Sequence, residues 1–250
     1  MKTFTAILYL ALSCVLAGAQ EPGTVTMGRN PVAANLALEQ YLKTSFEGSK
    51  PAKGTGYIKG SPYLSEEFAS GMIYWNGMWH EGFDLRYNAL LSTFETRLES
   101  GIITIDPLKN SMDTIKYRDE VFVKKYLKAG KDLQVVYLSL LEQQNGYVLY
   151  KHYINSLSEP VTDTYIDTDT DVDKELFHKD RPAEYQMEAP LYYVFRGNEY
   201  WTVKGSKSLA EIYNIDTKVV RNYLKNHKYK LSREEDLKES LLYFSSTYIE

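Results

Sequence analysis

The sequence predicts a mainly β protein of the α+β class: an antiparallel meander forming a curled sheet, sandwich or half-barrel, followed by three short C-terminal helices. Three observations carry this. The chain holds 22 tyrosines in 250 residues, and most lie between residues 57 and 204 beside Val, Ile, Phe and Trp, a composition that suits a pleated, half-buried surface. Three pairs, Asn76-Gly77, Asn145-Gly146 and Gly197-Asn198, are flanked by such residues and accept the positive φ angles of a tight hairpin. After residue 204 the apolar spacing turns helical and cap residues appear.

Taken in order, the chain opens with "MKTFTAILYLALSCVLAGAQ". Lys2, an uncharged apolar run from Phe4 to Leu16 and the small residues Ala17-Gly18-Ala19 read as a secretory signal peptide over 1–19. A membrane-spanning helix takes ~20 apolar residues, more than this run holds, and no second long run follows. The expected product is an exported protein of the periplasm or the outer-membrane or extracellular surface, with no transmembrane segment after cleavage. Cys14 is the sole cysteine, and Ala11 stands three positions before it, where a lipid-anchor motif has leucine. Cleavage after Ala19 removes that thiol, so disulfides, thiolate metal sites and cysteine nucleophiles are not expected in the mature chain.

Residues 20–56 read as a flexible N-terminal segment containing one short helix, "PVAANLALEQYLKTSF", with Leu36, Leu38, Leu42 and Phe46 at partly helical intervals. Residues 57–204 read as the β domain. Besides the three hairpins, "ETRLESGIITI", "DTIKYRDEVFVKKYL" and "KDLQVVYLSLLE" supply strands, eight to ten in all. Residues 205–250 form the helical segment, packed on or beside the β domain. Ser206 or Ser208 caps the first helix, Asp216 the second, and Ser232 with Glu235 forms a capping box before the third. Ile212, Val219, Val220, Leu224, Leu237, Leu241 and Leu242 are the inward positions.

Chemistry is less legible. No G-x-S-x-G elbow, phosphate-cradling glycine loop or dinucleotide fingerprint is present. His80, His152, His178 and His227 have no paired metal-ligand spacing, so no catalytic residue and no cofactor are assigned. Asp167, Asp169, Asp171 and Asp173 are the single candidate metal cluster. As a calcium loop they lack the turn glycine, where Val172 stands, and the closing glutamate, where His178 stands; a solvated acidic loop is the preferred reading. "TKVVRNYLKNHKYKLSR" spaces Lys218, Arg221, Lys225 and Lys228 every three or four residues in a helix-turn-helix-like setting. The export signal and the formal net charge of −4 argue against nucleic acid, and a solvated basic face is expected. Candidate ligand-binding residues are Trp75, Trp79, Tyr150 and Trp201, whose rings suit stacking on a sugar if their sheet face is open. Arg86, between apolar neighbours in "FDLRYN", either pairs with a buried carboxylate or binds a ligand.

"GSPYLSEEFASGMIYWNG", "FDLRYNALLSTFE", "GYVLYKHYI" and the ending "YYVFRGNEYW...KSLAEIY...KVVRNYLKNHKYKLSREEDLKESLLYF" together resemble a family of uncharacterised, signal-peptide-bearing exported proteins of Gram-negative bacteria, chiefly Bacteroidota, a domain of unknown function. The resemblance covers roughly residues 55–245. It implies an exported all-β body with a C-terminal helical segment and lends no catalytic residues. The functional expectation is a non-catalytic cell-envelope protein that binds or scaffolds, its partner an envelope protein, glycan or lipid. Two other readings are a hydrophobic-ligand carrier resembling lipoprotein carriers, and an envelope glycan-binding or glycan-hydrolysing protein.

Overall fold

The computed structural model describes residues 31–45, 58–129, 131–160 and 182–248. The predicted leader, the four-aspartate run and His178 lie outside the described residues. In chain order the elements are α1 (Pro31–Ser45), β1 (Ala69–Trp75), β2 (Met78–Asn88), β3 (Thr93–Leu98), β4 (Gly101–Ile105), β5 (Thr114–Tyr117), β6 (Glu120–Ala129), β7 (Asp132–Gln144), β8 (Tyr147–His152), β9 (Asn155–Ser158), β10 (Glu184–Met187), β11 (Leu191–Arg196), β12 (Glu199–Thr202), α2 (Ser206–Ile212), α3 (Thr217–His227) and α4 (Glu234–Thr247). Ten strands form one open antiparallel sheet ordered β12-β11-β8-β7-β6-β5-β1-β2-β3-β4; β9 and β10 make a separate ribbon.

The expected hairpins form. Asn76 and Gly77 have φ of 50° and 79°, and Asn145 and Gly146 have 51° and 80°, the paired positive angles of a type I′ turn. "DTIKYRDEVFVKKYL" divides into β5 and β6 because Arg118, at φ 54°, turns the chain between them. That split and the β9–β10 ribbon raise the strand number above the expected eight to ten.

Strand alternation gives the sheet two faces. Face one of β1 to β7 carries the largest core, in which Tyr87, Phe94, Tyr117, Phe122 and Tyr137 pack with Leu38 and Leu42 of α1. The N-terminal helix is therefore a structural part of the β body, while Leu36, 53% exposed, faces away. Further along face one, α2, α3 and α4 cover Leu149, Tyr192 and Val194 with Leu209, Val220, Leu237 and Leu241. Face two of the β6 to β12 half holds a third cluster, Leu127, Val136, Leu138, Tyr150, Tyr193 and Phe195.

Two tyrosine hydroxyls reveal how the sheet bends. Tyr87 on β2 donates to the Tyr137 carbonyl on β7 at 3.1 Å, and the Lys128 N–H on β6 donates to the Tyr200 hydroxyl on β12 at 2.5 Å. Each pair is separated by three intervening strands, which in a flat sheet would set it ~19 Å apart. The first contact is made on face one and the second on face two. The sheet thus curls in opposite senses on either side of β6 and β7, as two half-barrels sharing a wall.

The helix starts differ in detail from expectation. Gly205 is the N-cap of α2, and the Ser208 hydroxyl reaches back to accept from the Lys204 and Gly205 N–H groups. Asp216 caps α3, accepting from Lys218 N–H at 2.7 Å. The Ser232–Glu235 capping box does not form: α4 starts after Arg233. Its acidic first turn of Glu234, Glu235 and Asp236 instead meets the positive end of the helix dipole. Of the two valines expected inward, Val219 is 38% exposed and Val220 is buried.

Candidate functional site

The sequence Ala-Ser-Gly-Met-Ile-Tyr-Trp of β1 alternates, turning Ser70, Met72 and Tyr74 to face two. Gly71 is required on the other side. A Cβ there would stand 2.5 Å from the Lys116 carbonyl oxygen and 2.6 Å from Leu85 Cδ1, so β1 and β5 approach closely only with glycine between them. Immediately after it the register slips: Gly71 lies opposite Phe83 but Met72 lies opposite Glu81. Gly82 is the extra residue of this bulge, and its φ of 80° suits glycine.

The bulge opens a depression of about 510 Å³ on face two, lined by Ser70, Met72, Glu81, Gly82, Lys116 and Arg118. Lys116 and Glu81 are the β5 and β2 partners of Met72 and stand exposed on either side of it. Arg118, at the end of the depression, donates from Nη2 to Ser65 Oγ at 2.7 Å. Two residues toward the hairpin tip, Tyr74 and Trp79 are cross-strand partners whose rings meet edge to face at 5.3 Å; Trp79 is 42% exposed. Face two thus carries a continuous strip, aromatic at the tip and charged at the bulge. From Tyr74 to Ser70 it spans ~13 Å, four residues at strand rise.

Other polar constellations are used up inside the protein. Arg86 on β2 does pair with a buried carboxylate: Nη2 meets Glu95 Oε2 of β3 at 2.6 Å, and Nη1 donates to the Glu66 carbonyl at 3.1 Å. Residues 63–68 cross face two above it, with the guanidinium 3.5 Å from the Tyr63 ring centre and 4.4 Å from that of Phe68. The Tyr63 hydroxyl donates to Glu95 Oε1 at 3.1 Å. Burial, followed by the Glu95 charge, raises the Tyr63 pKa, which keeps that phenol a donor.

A second constellation lies at the β2–β3 turn. Ser92, at φ 54°, is 2.7 Å from His152 Nε2, and both are buried. The neighbouring Tyr87 phenol donates to the Tyr137 carbonyl. His152 Nδ1 is buried and has no hydrogen-bond partner among the described residues. Protonating it would bury an unpaired N–H, in keeping with a pKa that burial pushes down to about 4. The pair looks like a nucleophile and its base, but Ser92 is 4% exposed and His152 is buried with it.

The sequence-derived ligand residues are distributed over different surroundings. Trp75 turns to face one and stacks on Tyr41 of α1 at 5.1 Å, while Trp79 stays open on face two. Tyr150 is buried in the third cluster, its pKa pushed up to about 12 by desolvation, with the Lys125 ammonium 4.9 Å from its ring centre. Trp201 packs against the helices on face one. Of the five residues, only Trp79 belongs to the open strip. Sequence reasoning missed Ser70, Met72, Tyr74, Glu81, Lys116 and Arg118. The alternation of "SGMIY" and "TIK" assigns Ser70, Met72, Tyr74 and Lys116 to one face once the β5-β1-β2 order is known; Glu81 and Arg118 depend on the bulge at Gly82 and on the turn after β5.

Among the described residues, no three His, Cys, Asp or Glu side chains gather in a way that could hold a metal ion, and no helix is long and apolar enough to cross a membrane. The fold defines a mainly β protein built on one large, open antiparallel sheet. No family model, curated protein or solved structure matches the chain.

Proposed function

We propose that the chain is an exported cell-envelope protein, of the Bacteroidota family it resembles, that acts without catalysis by binding a glycan along the strip from Trp79 to Arg118. The observation that carries this reading is the exposed Trp79 ring, braced edge-on by Tyr74 and continuous with an open depression bearing exposed Lys116 and Glu81. A ring face offers apolar contact to the C–H side of a sugar, and the charged groups beside it take the hydroxyls. The carrier reading finds less support, because the concavity of face one is filled by Phe94, Phe122, Tyr137 and their neighbours. A hydrolase would need two carboxyl groups flanking the bound sugar; among the described residues Glu81 is the carboxylate that lines the depression, and Asp84 stands outside the lining, opposite Ser70.

The direct test is titration of the purified protein with envelope polysaccharide fragments, followed by calorimetry. Binding is expected for the wild type and at least tenfold weaker for Trp79→Ala, with an unchanged melting temperature because Trp79 is solvent-facing. Unaltered binding by Trp79→Ala would remove the reading. N-terminal sequencing of protein from the envelope fraction, expected to begin at Gln20, checks export separately.

A further inference from the structure

The strip is cationic at one end, and we infer that its ligand is an acidic saccharide whose ring carboxylate sits between Lys116 and Arg118. This rests on the glycan reading above and adds the substrate class. Lys116 and Arg118 both line the depression, Lys116 from β5 and Arg118 from the turn that follows it. Lys116 forms no ion pair among the described residues. Arg118 commits Nη2 to Ser65, which fixes the plane of the guanidinium and leaves its remaining N–H groups for a planar carboxylate.

The opposite edge has the contrary chemistry. Glu81, across Met72 from Lys116, accepts sugar hydroxyls and repels an acid group. Asp84 stands beyond it on β2, opposite Ser70, and extends the same acidic edge. The asymmetry sets orientation as well as class: sugar face on Trp79, hydroxyls toward β2, carboxylate toward β5. A neutral glycan would leave Lys116 and Arg118 unused. A nucleic acid would bring phosphates along both edges, including the one held by Glu81 and Asp84.

The test compares a uronic acid oligosaccharide with its carboxyl-reduced, neutral counterpart of the same linkage and length, by calorimetric titration of the protein. The acidic form is expected to bind at least about tenfold tighter at low salt, the scale of one charge-assisted hydrogen bond, with the advantage shrinking in 0.5 M NaCl as exposed charges are screened. Lys116→Ala should remove most of that advantage while leaving the weak affinity for the neutral form. Both variants of this kind, Lys116→Ala and Arg118→Ala, alter exposed side chains, and a thermal melt verifies their fold. Equal affinity for the two saccharides would overturn the acidic class but leave the glycan reading standing. Failure of both to bind would sink the glycan reading itself. An acidic preference that survives Lys116→Ala and Arg118→Ala together would put the anion elsewhere, for example on the basic face of α3, and overturn the assignment. Tighter binding of a sulfated oligosaccharide than of the uronic one would overturn the carboxylate.

Discussion

In the half of the sheet built from β1 to β7 the aromatic rings gather on face one, whereas in the half built from β6 to β12 a second set gathers on face two. One helix, α1, fills the first concavity, and three helices back the convex side of the second. Each curl is fastened by a tyrosine hydroxyl that meets a backbone group across three intervening strands. The comparison explains the unusual tyrosine content. A phenol supplies the apolar body a core needs and a polar tip that can finish on a backbone group, so a strongly bent sheet uses tyrosine where a flat one would use leucine.

The halves differ most on face two. In the second half that face is an apolar cluster; in the first it holds the Arg86–Glu95 pair, with side chains only 15% and 9% exposed. Removing one partner of a buried pair strands the other charge, at a cost of about 3 to 5 kcal/mol. Arg86→Met should therefore lower stability by that amount in urea unfolding, the largest effect expected here. Combining it with Glu95→Leu should recover most of the loss, because two apolar side chains would make the first half resemble the second. If the double variant is as unstable as the single one, the pair has a role beyond charge balance.

The pH dependence of stability sharpens the same contrast, because His152 is where the two halves are stitched together through Ser92. Its folded pKa of about 4 lies below the ordinary 6.5, so between these values the unfolded chain binds more protons than the folded one. Stability is then full above about pH 6.5 and falls as the pH drops toward 4. The loss totals about 3 kcal/mol by linkage, followed by a plateau for this group. In His152→Gln this part of the slope should vanish in denaturant melts taken from pH 7 to 4. An unchanged slope would show that His152 titrates normally in the fold.

Much of the architecture was legible in the sequence because it is written locally. Asn76-Gly77 and Asn145-Gly146 fix hairpins by their own backbone preferences, and alternation in "GYVLYKHY" correctly divides Tyr147 and Leu149 from Val148 and Tyr150. The site was hidden for the opposite reason. Lys116 and Glu81 flank Met72 only because β5 pairs with β1 and β1 with β2, and the opening there depends on a bulge at Gly82 that no local pattern announces. Trp75 and Trp79 illustrate the limit: four residues apart and chemically alike, they are sent to opposite faces by a two-residue turn, and only one remains open. The Arg86 alternatives were likewise undecidable without knowing that Glu95 lies directly across from it.

The smallest effects should come from the two latches, and their inequality is itself informative. Tyr87 is fully buried and donates to the Tyr137 carbonyl. Tyr87→Phe therefore takes the donor from a buried carbonyl that water cannot reach, costing about 1 to 3 kcal/mol. Tyr200 is only half-buried, and the Lys128 N–H it satisfies lies on an exposed residue, so water can replace the hydroxyl. Tyr200→Phe should cost no more than about 1 kcal/mol. Hydrogen exchange on the two variants separates the causes: Tyr87→Phe should loosen amides on both β2 and β7, while Tyr200→Phe should affect chiefly the end of β6. Equal losses in both would mean that the curls are held by ring packing alone, with the hydroxyls incidental to the bend.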